Sequence, residues 1–119
     1  MNRQIIERYC QGWLKNNKNE ILSLLSEDCV IIESHGNRYN GKKVIERWID
    51  DWMKEGIVTK WEIISMHESE EFMTFEWIFE CNHKKKTYSI EGISMVKFHD
   101  GKIEYIREYK MTKPIKDYK

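Results

Sequence analysis

The spacing of apolar residues changes once along this chain, and this change limits the folds that the chain can adopt. In the first half, apolar side chains recur at the three- to four-residue spacing of one helix face. From about residue 58 onwards they alternate with polar side chains, as in half-buried strands. Helices followed by consecutive strands are typical of an α+β domain with the helices packed on one face of a sheet.

The pattern predicts three helices, one short strand and four long strands. The helices cover residues 5–14, a short segment that Asn19 caps and that carries Ile21 to Leu25, and residues 42–54, ending at Gly56. The strands cover residues 29–32, 58–66, 72–81, 88–98 and 103–111. The connections are short and polar, with an Asp100-Gly101 hairpin signal, so successive long strands must run antiparallel.

A chain of 119 residues forms one domain, which we place at residues 1–111. Residues 112–119, which contain the only proline, are predicted to be a loosely ordered tail. Lys plus Arg and Asp plus Glu are both 20, so the basic excess of a nucleic-acid-binding protein is absent. No apolar stretch is long enough for a membrane span or a signal peptide. These features predict a soluble cytoplasmic protein, and balanced charge favours a homodimer.

No metal or cofactor site is expected from the cysteines and histidines. Cys10, Cys29 and Cys81 are too widely spaced for a disulfide framework or a metal knuckle, and buried thiols are the expected state. The three histidines in predicted turns do not form a helical metal-binding pair: His67, His83 and His99.

A long twisted sheet that curls around helices forms a cone, and its open end is a place where small ligands bind. Along residues 88–98, one face is apolar apart from Ser94 and is predicted to point inward, with Gly92 leaving room for a ligand. That face carries Tyr88, Ile90, Gly92, Ser94, Val96 and Phe98. Trp77 is predicted to point inward together with Phe75 and Phe79.

Two groups of residues resemble a SnoaL-like (NTF2-like) domain. After two helices come Ser26-Glu27-Asp28-Cys29-Val30 and then Tyr39-Asn40-Gly41-Lys42-Lys43; near the end come Glu91-Gly92-Ile93-Ser94 and Phe98-His99-Asp100-Gly101-Lys102-Ile103. The resemblance implies a cone fold with a deep pocket and, commonly, a dimer formed through the outer sheet face. It does not imply one activity, because such domains include ketosteroid isomerases, polyketide cyclases, dehydratases, transport factors and purely binding modules.

The resemblance also implies catalytic positions. Ketosteroid isomerases of this fold pair a tyrosine on the first helix with a carboxylate at the end of the first strand, and here these positions hold Tyr9 and Glu33. Glu33 would accept a proton from carbon, and the Tyr9 hydroxyl would stabilise the enolate oxygen. The isomerases add a protonated acid where this chain has Ser94, and their base is Asp rather than Glu. A strict steroid isomerase is therefore not expected.

Other interpretations stay open for these residues. Tyr9 on an apolar stripe is commonly a core residue, and a strand-end Glu33 is commonly solvated. His35 lies two residues after Glu33 and either assists it or is simply exposed. Trp48 and Trp52, near Trp13, are candidates for the pocket wall or for ordinary core packing.

The sequence therefore supports two functional hypotheses. The first is a domain that binds a small, largely apolar molecule in an aromatic-lined pocket and carries out isomerase, cyclase or dehydratase chemistry on an enolisable carbonyl compound. The second is a non-catalytic ligand carrier or a dimerising partner-binding module. The sequence leaves open whether Arg107 or Glu108 faces the pocket, because a bulge in the last strand would decide it.

Overall fold

The computed structural model describes residues 2–119, which form helices and strands in the predicted order. The helices are α1 (Asn2–Leu14), α2 (Lys18–Ser23) and α3 (Lys42–Glu55). The strands are β1 (Leu25–Ile32), β2 (Arg38–Asn40), β3 (Gly56–Glu68), β4 (Met73–His83), β5 (Lys86–His99) and β6 (Lys102–Lys110). They form one sheet in the order β2-β1-β6-β5-β4-β3, in which only β1 and β6 pair in parallel. The predicted α+β fold with a mostly antiparallel sheet is confirmed.

The core lies between the helices and the inner face of the sheet. The buried stripe of α1 is the one that the sequence pattern indicates, from Ile6 to Trp13. The sheet contributes Phe75 and Trp77 from β4 and Val96 from β5, all of them buried. Full burial of such side chains contributes about 1.5–3 kcal/mol each in transfer free energy, so these few residues account for much of the stability.

Three boundaries differ from the predicted ones. The cap of α2 is Asn17 rather than Asn19, because the Asn17 side-chain oxygen accepts a hydrogen bond from the Glu20 N–H at 3.1 Å. Leu25, predicted as helical, is the first residue of β1. The short edge strand β2 pairs with the end of β1 and was not predicted, because its three residues carry no apolar alternation.

Two bulges set which side chains point inward. In β3, one extra residue lies between Val58 and Lys60, so Val58 and Trp61 are both buried although they are three positions apart. In β6, Lys97 pairs with Tyr105 and Phe98 with Ile103, which leaves Glu104 as an extra residue. Bulges of this kind also bend a strand and help a sheet to curve into a cone.

The Asp-Gly hairpin between β5 and β6 is confirmed. Asp100 and Gly101 both have positive φ, 50° and 76°, as a two-residue hairpin turn requires. At the other end of β6, residues 112–119 are exposed and belong to no helix or strand. Within residues 2–119, no helix is both long and apolar enough to cross a membrane.

Candidate active site

A cavity of about 310 Å³ lies between the inner face of the sheet, α1 and α3. All five tryptophans of the chain contribute to its wall: Trp13, Trp48, Trp52, Trp61 and Trp77. The rings contact one another edge to face, with Trp13 at 5.3 Å from Trp48 and 5.5 Å from Trp52 between ring centroids. A wall of this kind suits a small ligand with flat apolar surfaces.

Glu33 enters the cavity because it continues the inward alternation of β1. Cys29 and Ile31 are buried, and Glu33 follows Ile31 by two residues. The Tyr39 hydroxyl donates a hydrogen bond to Glu33 Oε1 at 2.6 Å, and His35 Nε2 lies 3.1 Å from the same oxygen. Both contacts are to Oε1, so the second carboxylate oxygen keeps its lone pairs for another partner. Donors of this kind stabilise a charged carboxylate.

Tyr39 is itself held in place by aromatic stacking. Its ring lies parallel to the Trp48 ring, with 4.3 Å between centroids and 13° between planes. Burial and the hydrogen bond to Glu33 raise the Tyr39 pKa, so its hydroxyl remains a donor at neutral pH. Trp48 on α3 thus helps to orient the carboxylate at the end of β1.

A second carboxyl group, Glu108 of β6, also lines the cavity. The extra residue Glu104 places Ile106, Glu108 and Lys110 on the inner face, whereas Arg107 lies outside against the Tyr109 ring. Burial raises the pKa of Glu108 from 4.5 to about 8, and the negative charge of Glu33 adds to this rise. Glu108 therefore keeps its proton at neutral pH and is a hydrogen-bond donor.

Tyr9 of α1 completes the polar part of the site. Its side chain is 3% exposed and lies edge to face against Trp61, with 5.8 Å between ring centroids. Burial, and then the charge of Glu108, raise the Tyr9 pKa well above its ordinary value. The cavity therefore brings a charged carboxylate, an uncharged carboxyl group and a phenol together.

The structure places most of the residues singled out from the sequence in this cavity. Those that line it are Tyr9, Trp13, Glu33, His35, Trp48, Trp52, Trp77 and Tyr88. Ser94 is fully buried outside the cavity lining, where its hydroxyl accepts a hydrogen bond from Trp77 Nε1 at 2.9 Å. Gly92 also lies outside this lining, because the Trp77 ring occupies the space beside it. The expectation that Gly92 and Ser94 face a ligand is corrected accordingly.

Gly92→Ala is expected to destabilise the fold without touching the cavity chemistry. An added Cβ would lie 2.2 Å from the Tyr109 carbonyl oxygen and 2.6 Å from a Trp77 ring carbon, so backbone and ring must both shift. Overpacking of this kind costs about 1–3 kcal/mol. Urea unfolding measures the loss, with Gly101→Ala as a control for a glycine in open space. An unchanged unfolding midpoint for Gly92→Ala would contradict the packing described here.

Sequence reasoning missed Trp61 as a lining residue and left Glu108 undecided. Both follow a bulge, and the position of a bulge has no reliable sequence signature. The usable signal for Glu108 was its spacing from two isoleucines: Ile103 and Ile106 are both buried three positions apart, which a regular strand does not allow.

The site has no grouping that suits a metal. Within residues 2–119, no three His, Cys, Asp or Glu side chains are placed to hold one. The three cysteines are buried free thiols, and burial raises the pKa of each: Cys10, Cys29 and Cys81. Cys81 contributes to the cavity wall as a small apolar group.

Several solved structures share this fold. One is an LEH-like epoxide hydrolase of M. tuberculosis, with a TM-score of 0.82 and 12% identity over 91% of this chain and 80% of that chain. Another is a proposed isomerase from Bacillus subtilis, with a TM-score of 0.80 and 18% identity over 91% and 84%. A third is a hypothetical protein with a ketosteroid isomerase-like fold from Catenulispora acidiphila, in complex with trimethylamine, with a TM-score of 0.78 and 16% identity over 88% and 83%. At these identities the likeness shows the fold alone.

Comparison with curated proteins gives no significant match. The family model of the SnoaL-like domain matches residues 6–106, which span α1 through the first half of β6. That range covers the helices, five complete strands and the cavity carboxylate Glu33. The chain belongs to the SnoaL-like domain family, with the cone fold of NTF2-like proteins.

Proposed function

We propose that this domain binds a small, flat, largely apolar carbonyl compound in its tryptophan-lined cavity and catalyses proton transfer next to the carbonyl group. The observation that carries the proposal is the pair of carboxyl groups with opposite protonation at neutral pH. Glu33 is held by donors that favour its charge, whereas burial keeps the proton on Glu108, whose pKa is about 8. Titratable groups that their surroundings drive apart in this way are typical of acid–base sites.

The proposed step moves one proton. Glu33 accepts the proton from the carbon next to the carbonyl, and the electron pair of that C–H bond forms the enolate. The Tyr9 hydroxyl and the protonated Glu108 carboxyl then donate hydrogen bonds to the enolate oxygen. Return of the proton to another carbon completes an isomerisation, whereas loss of a leaving group completes a dehydration.

Glu108 takes the part that the family resemblance would give to Ser94. The two residues pair directly across β5 and β6, so a carboxyl group on the neighbouring strand lies at the same level of the sheet. Ser94 is occupied by Trp77, whereas Glu108 lines the cavity. This exchange supports a site that keeps the acid and phenol pair with the acid on a different strand.

The alternative is a ligand carrier without chemistry. Such a module has no use for a buried carboxyl group with a raised pKa, because an apolar residue would bind the same ligand without the cost of burying Glu108. The raised pKa of Glu108, about 8, therefore favours the catalytic proposal. The expected homodimer stays a prediction, for which exposed apolar residues on the outer sheet face are available: Ile64, Ile93 and Tyr109.

A thermal-shift screen against flat ketones, steroids and polyketide-like aromatics is expected to give hits. A ligand at a hundred times its dissociation constant stabilises the folded state by about 2.7 kcal/mol, which raises the midpoint by several degrees. Hits are then incubated in D₂O with the protein, and NMR follows exchange of the protons next to the carbonyl. Exchange catalysed by the protein supports the proposal; binding without exchange favours the carrier, and no binding across the panel counts against both.

A further inference from the structure

Two tryptophans of the cavity wall have indole N–H groups without a partner. Trp13 is 4% exposed and Trp61 is 8% exposed, and neither Nε1 has a hydrogen-bond acceptor within residues 2–119. Trp77, buried to the same degree in the same wall, donates its N–H to Ser94 at 2.9 Å. The fold therefore satisfies one buried indole of the wall and leaves two unsatisfied.

A buried N–H without an acceptor loses its hydration and gains nothing in return. More than nine in ten buried polar groups in folded proteins are paired, so two unpaired donors in one wall need an explanation. Phenylalanine would fill much of the same space without an N–H. Binding of an acceptor from a ligand explains why both positions carry an indole.

The two indoles flank Tyr9. Trp13 lies one helical turn after Tyr9 on the same face of α1, and the Trp61 ring packs against the Tyr9 ring at 5.8 Å. The Trp13 N–H is close enough to the Tyr9 hydroxyl to lower its pKa slightly, against the larger effect of burial, yet the pair does not reach hydrogen-bond geometry. Three donors thus border one part of the cavity.

An indole N–H only donates, so its partner must be an acceptor. The carboxylate of Glu33 in the same cavity disfavours an anion, which leaves a neutral acceptor group. We infer that Trp13 and Trp61 form a donor subsite that binds an uncharged oxygen of the ligand, such as a carbonyl or ether oxygen. The inference rests on the proposed small-molecule cavity and adds a polar requirement to a ligand that the tryptophan wall alone would allow to be a plain hydrocarbon.

The test compares 9-fluorenone with fluorene, two flat probes that share a skeleton and differ by one carbonyl oxygen. The protein is labelled with ¹⁵N-tryptophan, and its five indole N–H signals are assigned from single Trp→Phe variants. We expect fluorenone to bind about 3- to 30-fold more tightly than fluorene, as one or two hydrogen bonds predict. The Trp13 or Trp61 signal should move further with fluorenone than with fluorene, while the Trp77 signal responds equally to both.

Single variants then assign the preference to residues. Trp61→Phe and Trp13→Phe should reduce the preference for fluorenone, whereas Trp77→Phe, whose N–H is already satisfied, should retain it. If either subsite variant fails to fold, the indole shifts in the unchanged protein still decide. Equal affinity for the two probes, failure of fluorenone to bind, or equal shifts at Trp13 and Trp61 would overturn the inference.

Fluorenone has no proton on the carbon next to its carbonyl group, so this experiment does not depend on catalysis. Exchange of ketone protons with intact dependence on Glu33, but no preference for fluorenone, would overturn the donor subsite and leave the proposed function standing. A clear preference for fluorenone without any exchange would support the subsite and count against the proposed chemistry.

Discussion

Glu108→Gln is expected to stabilise the protein at alkaline pH and to remove much of the pH dependence of its unfolding free energy. Burial first, and then the charge of Glu33, raise the Glu108 pKa from 4.5 to about 8 in the folded protein. Between these two values the folded state holds a proton that the unfolded chain has released. The free energy of unfolding must therefore fall as pH rises from about 4.5 to about 8 and change little from this group above that range.

The size of this effect is of the order of 3 kcal/mol, with about 5 kcal/mol as an upper limit from the full pKa difference at 1.36 kcal/mol per unit. Urea unfolding at pH 5, 7 and 9 measures it as the difference between the unchanged protein and Glu108→Gln, which cancels the contributions of other titrating groups. Those that share the cavity are Tyr9, Glu33, His35, Cys81, His83, Tyr88 and Lys110. Glu91→Gln on the exposed side of β5 is the matched control. Parallel curves for the unchanged protein and Glu108→Gln would show that Glu108 is solvated.

Glu33→Gln is expected to reduce turnover of a substrate found in the screen by about 10²- to 10⁴-fold, the usual contribution of a general base. The amide has the same shape and still accepts the Tyr39 hydrogen bond, so folding and binding should change little. The kcat and KM values, or the rate of deuterium exchange next to the carbonyl, measure the change. The control is Glu27→Gln, since the Glu27 side chain is 83% exposed on the same strand.

The same variant has a second expected result, because the two carboxyl groups are coupled. Removal of the Glu33 charge lowers the Glu108 pKa, since that charge is one of the two causes of its rise. The pH-dependent loss of stability should therefore move to lower pH in Glu33→Gln. Undiminished turnover would refute the role of Glu33 as base, even if this shift in stability is seen.

The helices, the long strands and the order of the elements were predictable because each rests on a local pattern. The α1 stripe from Ile6 to Trp13 and the Asp100-Gly101 turn are decided by neighbours along the chain. Tyr9 and Glu33 were identified through the family resemblance, and alternation along β1 is enough to turn Glu33 inward.

The remaining features depend on contacts that a local pattern does not record. The inward turn of Glu108 needs the extra residue in β6, and the burial of Trp61 needs the one in β3. Gly92 was expected to leave room for a ligand, but the Trp77 ring from the neighbouring strand takes that room. Tyr39, which no sequence pattern singled out, contacts Glu33 because β2 folds back beside β1.

The bulge at Glu104 makes the charge of the cavity depend on the length of β6. Beyond Glu104 the inner face carries Glu108 and the outer face carries Arg107. Loss of a single residue there would exchange the two faces, because side chains alternate along a strand. An acidic cavity would become a basic one without any substitution inside it. In a fold that hosts many chemistries, such a one-residue deletion is a short evolutionary route from proton abstraction to the binding of anions.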